Sequence, residues 1–141
     1  MEELEITKDA FKKKWRKEYT SKFDIDLSFG ESYEYSLANI LSLGKVEVKT
    51  EKNKWKKTGN IAIELMNQNK LSGLTVTEAD WWAHILSYRN NIESVILIPV
   101  PKLKKLVKHL VEENKAMITM GGDNNASELV LIPIKEIHGS F

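Results

Sequence analysis

Hydrophobic residues recur at two different periods along this chain, and the change of period divides it into predicted elements. Residues 9–20 and 31–43 place hydrophobic side chains every three or four positions, which predicts two amphipathic helices separated by a short break. Residues 45–50 and 60–66 instead alternate hydrophobic and polar side chains, a period that is typical of half-buried β-strands. The first half of the chain is therefore predicted as helix, helix, strand, strand.

The second half of the chain continues with a helix and with strands that are hydrophobic along most of their length. Residues 75–89 are predicted as a helix, because Thr75 and Glu78 have the spacing of a capping box and a hydrophobic stripe follows them. Three hydrophobic runs predict strands (SVILIPV, AMITM and ELVLIPI), KLKKLVKHLVEEN predicts a basic helix, and GGDNNAS predicts a turn between antiparallel strands. This order of elements predicts an α/β or α+β fold.

Composition limits the domain organisation and the kind of metal site. A chain of 141 residues with 42% hydrophobic content is sufficient for one modest core, so residues 1–141 are expected to form a single domain. The hydrophobic runs are too short to span a membrane and the first residues do not resemble a signal peptide, so a cytoplasmic protein is expected. Because cysteine is absent, any metal ion must be held by oxygen or imidazole ligands.

Positive charge is concentrated in blocks, although the formal net charge is only +1. Residues 12–17, 52–57 and 102–109 are rich in lysine, and the first two blocks each contain a tryptophan. Lysines neutralise phosphates and an aromatic ring stacks on a base, so this pattern is compatible with nucleic-acid binding. Solvated surfaces that a tryptophan anchors to the core produce the same pattern, and on charge alone that second interpretation is favoured.

Two predicted strands carry acidic side chains that a hairpin would bring together. On the first strand, Glu47 and Lys49 lie on the face opposite to the valines, and Glu51 continues that face. If residues 52–59 close a symmetric hairpin, Glu47 faces Glu64 with Cβ atoms about 5 Å apart. Like charges placed in this way destabilise the pair unless a cation lies between them, which indicates a metal site. A solvated sheet face with alternating lysine and glutamate is the alternative.

The segment VEVKTEKNKWKKTGNIAIE, preceded by a helix that carries Glu34, resembles the PD-(D/E)xK nuclease superfamily. EVK lies near the end of a strand, and a second acid-bearing strand and then a helix are predicted to follow. KTGNIAIE and SGLTVTEADWW are further similar to small phage-type members, and the similarity covers about residues 26–98. The resemblance implies a restriction endonuclease-like αβββαβ core, with a mixed central sheet flanked by helices.

In that superfamily one helix contributes a glutamate, and a pair of strands contributes acids and a lysine that bind magnesium and activate water. By position, the resemblance implies Glu34, Glu47 and Glu64 as metal ligands. Lys49 then matches the lysine of the E-x-K motif, and Glu51 joins the catalytic set. No PD dipeptide precedes the motif in this chain.

Other assignments stay open within the resemblance. If Glu64 is the acid of the E-x-K motif, either Glu47 or Glu51 is its upstream partner. Met66 then occupies the lysine position, and Lys49 must substitute for it from the neighbouring strand.

Three further residues bear on the site. Asp26, before the second helix, is another candidate for the upstream acid. Glu34 borders the hydrophobic stripe of its helix, so it is expected to be partly buried. His84 is expected on the helix of residues 75–89, where a single histidine is more often a packing or surface residue than a ligand.

The resemblance implies an endonuclease that hydrolyses DNA phosphodiester bonds with Mg²⁺ or Mn²⁺. Mg²⁺ selects carboxylate oxygens and water, and a lysine stabilises the negative charge that develops on the phosphate. The link between the two strands is expected to contact the DNA backbone through Lys52, Lys54, Trp55, Lys56 and Lys57. Two alternatives remain: a catalytically inactive nucleic-acid-binding module of the same fold, and a protein-interaction factor whose basic faces meet an acidic partner. The sequence is also compatible with a homodimer.

Overall fold

The computed structural model describes residues 23–138, with the side chains of residues 29–138. The helices of this part are α1 (Phe23–Leu43), α2 (Lys54–Thr58) and α3 (Val100–Glu112). Its strands are β1 (Val46–Lys52), β2 (Asn60–Asn67), β3 (Lys70–Leu71), β4 (Trp81–Tyr88), β5 (Asn91–Pro99), β6 (Met117–Gly121) and β7 (Ser127–Pro133). This is a mixed α/β architecture, as the order of elements predicted.

The chain divides into two compact units, residues 1–42 and 43–141. The helix predicted over residues 9–20 lies outside the described residues. In the first unit, α1 is a helix of 21 residues, so the predicted break at FDIDLSFG is wrong and the helix continues through it. A glycine inside a helix costs only about 1 kcal/mol relative to alanine, which the hydrogen-bond ladder of a long helix offsets. No described helix combines the length and the hydrophobicity that crossing a membrane requires.

The second unit contains two sheets. In the three-stranded sheet, in the order β1-β4-β5, β4 is parallel to β1 and antiparallel to β5. The four-stranded sheet, in the order β3-β2-β7-β6, is antiparallel throughout. It includes the β6–β7 hairpin that the sequence predicted. The expected single central sheet is thus replaced by two.

The predicted hairpin between β1 and β2 is wrong, because the two strands belong to different sheets. The link between them forms the short helix α2 instead of a turn. Asn53 and Gly59 flank this helix with positive φ angles of 41° and 71°, which turn the chain at both of its ends. The chain therefore passes from one sheet to the other, and β1 takes β4 as its neighbour.

The helix predicted over residues 75–89 is also wrong. A 3₁₀ turn covers Gly73–Thr75, and the residues from Trp81 to Tyr88 form β4. Trp82, His84 and Leu86 alternate along this strand and are all buried. Because β4 lies between β1 and β5, its backbone is paired on both edges, and this tertiary pairing overrides the helical pattern.

One hydrophobic core is shared by the two sheets and α3. The helix contributes five buried residues at helical spacing: Val100, Leu103, Leu106, Val107 and Leu110. β2 and β7 contribute Ile61, Ile63, Val130 and Ile132, while β4 and β5 contribute Trp82, Leu86, Ile96 and Ile98. Both sheets therefore turn one face toward the same interior.

Candidate active site

β1 turns its charged side chains toward the core side of its sheet. Glu47, Lys49 and Glu51 are paired in register with Trp82, His84 and Leu86 of β4, respectively, and all three β4 residues are buried. Residues paired across neighbouring strands point to the same face of a sheet. Val48, on the opposite face, is 54% exposed. The charged side chains of β1 thus lie on the same face as buried residues of β4, while Val48 on the other face is exposed.

Glu47 and Lys49 form an ion pair at the wall of a pocket. Lys49 Nζ lies 2.8 Å from Glu47 Oε1, and the Thr77 hydroxyl donates to Glu47 Oε2 at 3.4 Å. The exposed fractions of the lysine and glutamate side chains are 43% and 34%, so solvent reaches both groups. The pocket is open, has a volume of about 560 Å³ and is also lined by Gly73 and Glu78. A charged pair in such a pocket can meet an ionic ligand.

Glu64 lies on β2 at a bulge and is half-buried. The Ser72 hydroxyl beside the carboxylate is the largest influence that lowers the pKa of Glu64, followed by the hydrogen bond that Ser127 donates at 2.8 Å. The buried Ser72 oxygen makes no hydrogen bond of standard geometry with any described residue, so the bond from Ser127 is the better supported of the two. Burial opposes these effects on the pKa, while Asn67 and the positive charge of Lys49 add to them. Glu64 is therefore held as a carboxylate.

The segment from Ser72 to Thr77 positions one wall of the pocket. Its backbone approaches β2 so closely that a Cβ on Gly73 would clash with the Glu64 carbonyl oxygen, and Gly73 has a φ of +54°. The Thr75 hydroxyl donates to the Leu65 carbonyl oxygen at 2.7 Å, which fixes the segment on that strand. The same segment then presents Thr77 to Glu47, so it connects the acids of the two sheets.

Glu51, which the sequence placed in the catalytic set, is engaged elsewhere. Its Oε1 accepts a hydrogen bond from the Ala62 backbone N–H at 2.6 Å and lies 3.2 Å from His84 Nε2. His84 Nδ1 in turn accepts a hydrogen bond from the Trp82 indole at 3.1 Å. His84 is a strand residue with 1% exposure, so its expected place on a helix was wrong.

The structure separates some of the other predicted residues. Glu47 and Glu64 do not face one another across a ladder, because Glu47 pairs with Trp82 and Glu64 with Leu129. Lys49 pairs with Glu47, and its positive charge is the smallest of the influences that lower the pKa of Glu64. Met66 follows the β2 bulge and pairs with both β3 and β7.

The two candidate acids of α1 belong to the first unit. Glu34 is exposed, which contradicts the predicted partial burial. The side chain of Asp26 lies outside the described residues. Within the described part of the chain, no three histidine, aspartate or glutamate side chains are grouped closely enough to hold a metal ion by themselves.

The basic link is partly structural. The Trp55 indole donates to the Ser87 carbonyl oxygen at 2.6 Å, so this ring anchors α2 to β4. Lys56 lies 2.6 Å from a Glu93 carboxylate oxygen and 4.2 Å from the centre of the Tyr88 ring. The other three lysines of the link, Lys52, Lys54 and Lys57, are exposed. They form a surface with positive charge next to the end of β1.

Sequence reasoning missed the polar residues that surround the acids: Ser72, Thr77, Ser127 and the paired role of His84. For His84 a signal was present, since Trp82, His84 and Leu86 also alternate with period two. The three hydroxyl residues carried no signal, because their contacts join segments that are distant in sequence.

The candidate site is therefore the pocket that Glu47, Lys49 and Thr77 line, with the ionised Glu64 nearby. The charged groups of this site are the ammonium of Lys49 and the carboxylates of Glu47 and Glu64. No protein-family model, curated protein or solved structure matches this chain.

Proposed function

We propose that this chain is a metal-dependent endonuclease that hydrolyses phosphodiester bonds of DNA, built on a variant of the restriction endonuclease-like core. The observation that carries the proposal is the inward-facing charged side of β1. Its Glu47 and Lys49 occupy a pocket while an apolar neighbour, Val48, faces solvent. A charged pair that lines an open pocket beside buried strand residues is a candidate for a chemical role.

The donor groups of the proposed site are of the kind that a magnesium or manganese ion takes. Glu47 and Glu64 supply carboxylate oxygens, and Mg²⁺ in proteins commonly takes one or two carboxylates and keeps several water molecules. Two protein carboxylates are therefore sufficient, although the described residues contain no complete cluster of three. When bound, such an ion acts as a Lewis acid and lowers the pKa of a bound water.

Lys49 would stabilise negative charge on the substrate. In the structure its ammonium neutralises Glu47 directly and attracts Glu64. A phosphate that enters the pocket offers this ammonium a third anionic partner, and an ammonium group stabilises charge that develops during phosphodiester hydrolysis. The pKa of Glu64 is lowered below its ordinary value, so this acid keeps its charge further into acid than a free glutamate does.

DNA would be held by the exposed lysines of the link. Lys52, Lys54 and Lys57 project from the end of β1 and from α2, and basic side chains gain affinity for nucleic acid by neutralising phosphates. Lys56 is paired with Glu93 of β5 and the Trp55 indole with the Ser87 carbonyl of β4, so both side chains already have partners within the protein. This narrows the predicted DNA-contacting set from five residues to three.

A plasmid-cleavage assay in Mg²⁺ and in Mn²⁺ tests the proposal. The parent chain should cleave, and Glu47→Ala and Lys49→Ala should both lose activity. Glu113→Ala and Lys105→Ala are matched controls, because both side chains are exposed on or beside α3. Full cleavage by both site variants would rule out the proposed site.

One observation keeps an inactive DNA-binding module as the second candidate. Met66 stands where a lysine would follow Glu64 in an E-x-K motif, and a bulge separates the two residues. If the parent chain binds DNA but cleaves none in either metal, the binding module is the correct function. If it neither binds nor cleaves DNA, the protein-interaction alternative takes precedence.

A further inference from the structure

We infer that Glu51 and His84 form a positioning pair that ties β1 to β2 and thereby holds Glu47 and Lys49 in place, and that Glu51 is not a metal ligand. This inference rests on the proposed function, because that function is what makes Glu47 and Lys49 a reactive site. The hydrogen bonds of Glu51 to Ala62 and His84, called the tie below, can be tested without measuring any activity.

One carboxylate oxygen joins the two sheets. Oε1 of Glu51, on β1, accepts the Ala62 backbone N–H of β2 at 2.6 Å and the His84 ring of β4 at 3.2 Å. The Glu51 side chain is only 18% exposed, so both bonds are largely shielded from water. A charge-assisted bond in such surroundings is stronger than one at the surface.

The Ala62 N–H needs this partner. β2 pairs with β7 along one edge and with β3 only at Met66 and Asn67, so no described strand lies beside the other edge at Ala62. A buried backbone N–H without an acceptor is strongly unfavourable. Glu51 therefore takes the position that a neighbouring strand would occupy in a continuous sheet.

The tautomer of His84 follows from its two partners. Trp82 Nε1 has only a hydrogen to donate, so His84 Nδ1 must be the acceptor of their 3.1 Å bond. The ring hydrogen of neutral His84 is then on Nε2, which donates it to Glu51. Both Trp82 and His84 are 1% exposed, and both ring nitrogens are occupied. The imidazole thus orients Glu51 and has no lone pair left for a metal ion.

The tie affects the position of Glu47 and Lys49 because Glu51 lies on the same strand, β1. Glu51, Lys49 and Glu47 are successive side chains on one face of this strand, whereas Glu64 belongs to β2. The relative position of the two strands decides whether Lys49 can attract both acids. The tie fixes that relative position next to the site, so Glu51 affects the reaction through Glu47 and Lys49 without touching the substrate.

Glu51→Gln and Glu51→Ala separate a positioning role from ligation, with Glu47→Gln as the ligand control. Mn²⁺ affinity is measured by electron paramagnetic resonance, and protection of the Ala62 amide by hydrogen exchange. Glu51→Gln keeps an amide oxygen that accepts both bonds, so Mn²⁺ affinity and Ala62 protection should be retained. Glu51→Ala should lose the protection and lower Mn²⁺ affinity and cleavage about 10-fold to 100-fold, and Glu51→Gln should recover most of that loss. Glu47→Gln should weaken Mn²⁺ binding but keep Ala62 protected.

Two results would overturn the inference. If Glu51→Gln weakens Mn²⁺ binding as much as Glu47→Gln does, Glu51 is a ligand. If Ala62 stays protected in Glu51→Ala, no tie exists. Should Glu51→Ala fail to fold, His84→Ala replaces it: faster exchange at Ala62 supports the tie and unchanged exchange refutes it. A parent chain that binds no Mn²⁺ and cleaves nothing would reject the proposed function, while the exchange comparison would still decide whether the tie exists.

Discussion

Lys49 Nζ lies 2.8 Å from Glu47 Oε1, and the two side chains share the core-facing side of β1. The pKa of Glu64 on β2 is lowered mainly by Ser72 and Ser127, and the positive charge of Lys49 adds a smaller effect. Lys49 is therefore paired with Glu47 and acts on Glu64 only through its charge. Any cation that binds these acids must share them with Lys49, and this competition determines what each substitution in the site should do.

Removing the lysine should separate metal binding from cleavage. In Lys49→Met the acids lose their resident positive charge, so Mn²⁺ affinity should stay the same or increase. Cleavage should fall about 100-fold to 1000-fold, the usual effect of removing one group that stabilises developing charge. Mn²⁺ titration measures the metal affinity and a plasmid assay measures the cleavage, with Lys105→Met as the control. A parallel loss of metal affinity and cleavage would contradict this account.

Neutralising Glu47 should have the opposite effect on DNA. Glu47→Gln removes a negative charge that repels phosphate when no metal is bound, so DNA affinity in a chelator should be retained or increase. Cleavage in Mg²⁺ should be abolished, because a candidate ligand is gone. Fluorescence anisotropy with labelled DNA and a cleavage assay measure both effects. Weaker DNA binding by this variant would show that Glu47 does not face the phosphate.

The exposed lysines of the link should control the salt dependence of DNA binding. Each phosphate contact contributes a log–log slope of about −0.9 on duplex DNA, or about −0.7 on a single strand. Lys54→Glu with Lys57→Glu should flatten the slope and leave the unfolding temperature unchanged, since both side chains are exposed. The matched control is the charge reversal of two lysines on α3, Lys104→Glu with Lys105→Glu. Equal effects of the two pairs would mean that binding follows overall charge and not this surface.

Gly73 should not tolerate alanine. A Cβ at this position would meet the Glu64 carbonyl oxygen, and the φ of +54° disfavours any side chain. Gly73→Ala should lower the free energy of unfolding by about 1–3 kcal/mol from backbone strain, and the clash adds to this. Gly30→Ala is the control: nothing lies within 4 Å of its added Cβ, and it should stabilise α1 by about 0.5–1 kcal/mol. Urea unfolding measures both, and a neutral Gly73→Ala would show that this segment can move.

Stability should fall in acid partly through Glu64. Its pKa is below the ordinary value of 4.5 in the folded protein, so between the two pKa values the unfolded chain binds more protons. The stabilisation is complete above about pH 4.5 and is lost as the pH falls through the folded pKa.

Ser127→Ala tests this pH dependence. It removes the hydrogen bond that Ser127 donates to the carboxylate and the one that it accepts from Asn67, which should cost about 1–3 kcal/mol at neutral pH. It should also weaken the pH dependence, because the folded pKa of Glu64 moves back toward its ordinary value. Urea unfolding at several pH values measures this, with the exposed Ser94→Ala as control. An unchanged pH dependence would mean that Ser127 does not influence Glu64.

The sequence alone determined the class of the fold and most of its elements. The strands β1 and β2, the β6–β7 hairpin and the amphipathic α3 were predicted, because each carries its own periodicity or turn residues. The alternation on β1 also correctly placed Glu47, Lys49 and Glu51 on one face. These are local properties, and a local pattern of hydrophobic and polar residues is sufficient to specify them.

Only the tertiary structure decided which strands meet and which way the charged face points. Residues 75–89 fit a helix by spacing, yet partners on both edges made Trp81–Tyr88 a strand. That strand pairs with β1, so Glu47 lies beside Trp82, while Glu64 on β2 pairs with Leu129 in the other sheet. The pairing energy of a strand comes from residues far away in sequence, so periodicity within one segment does not contain it.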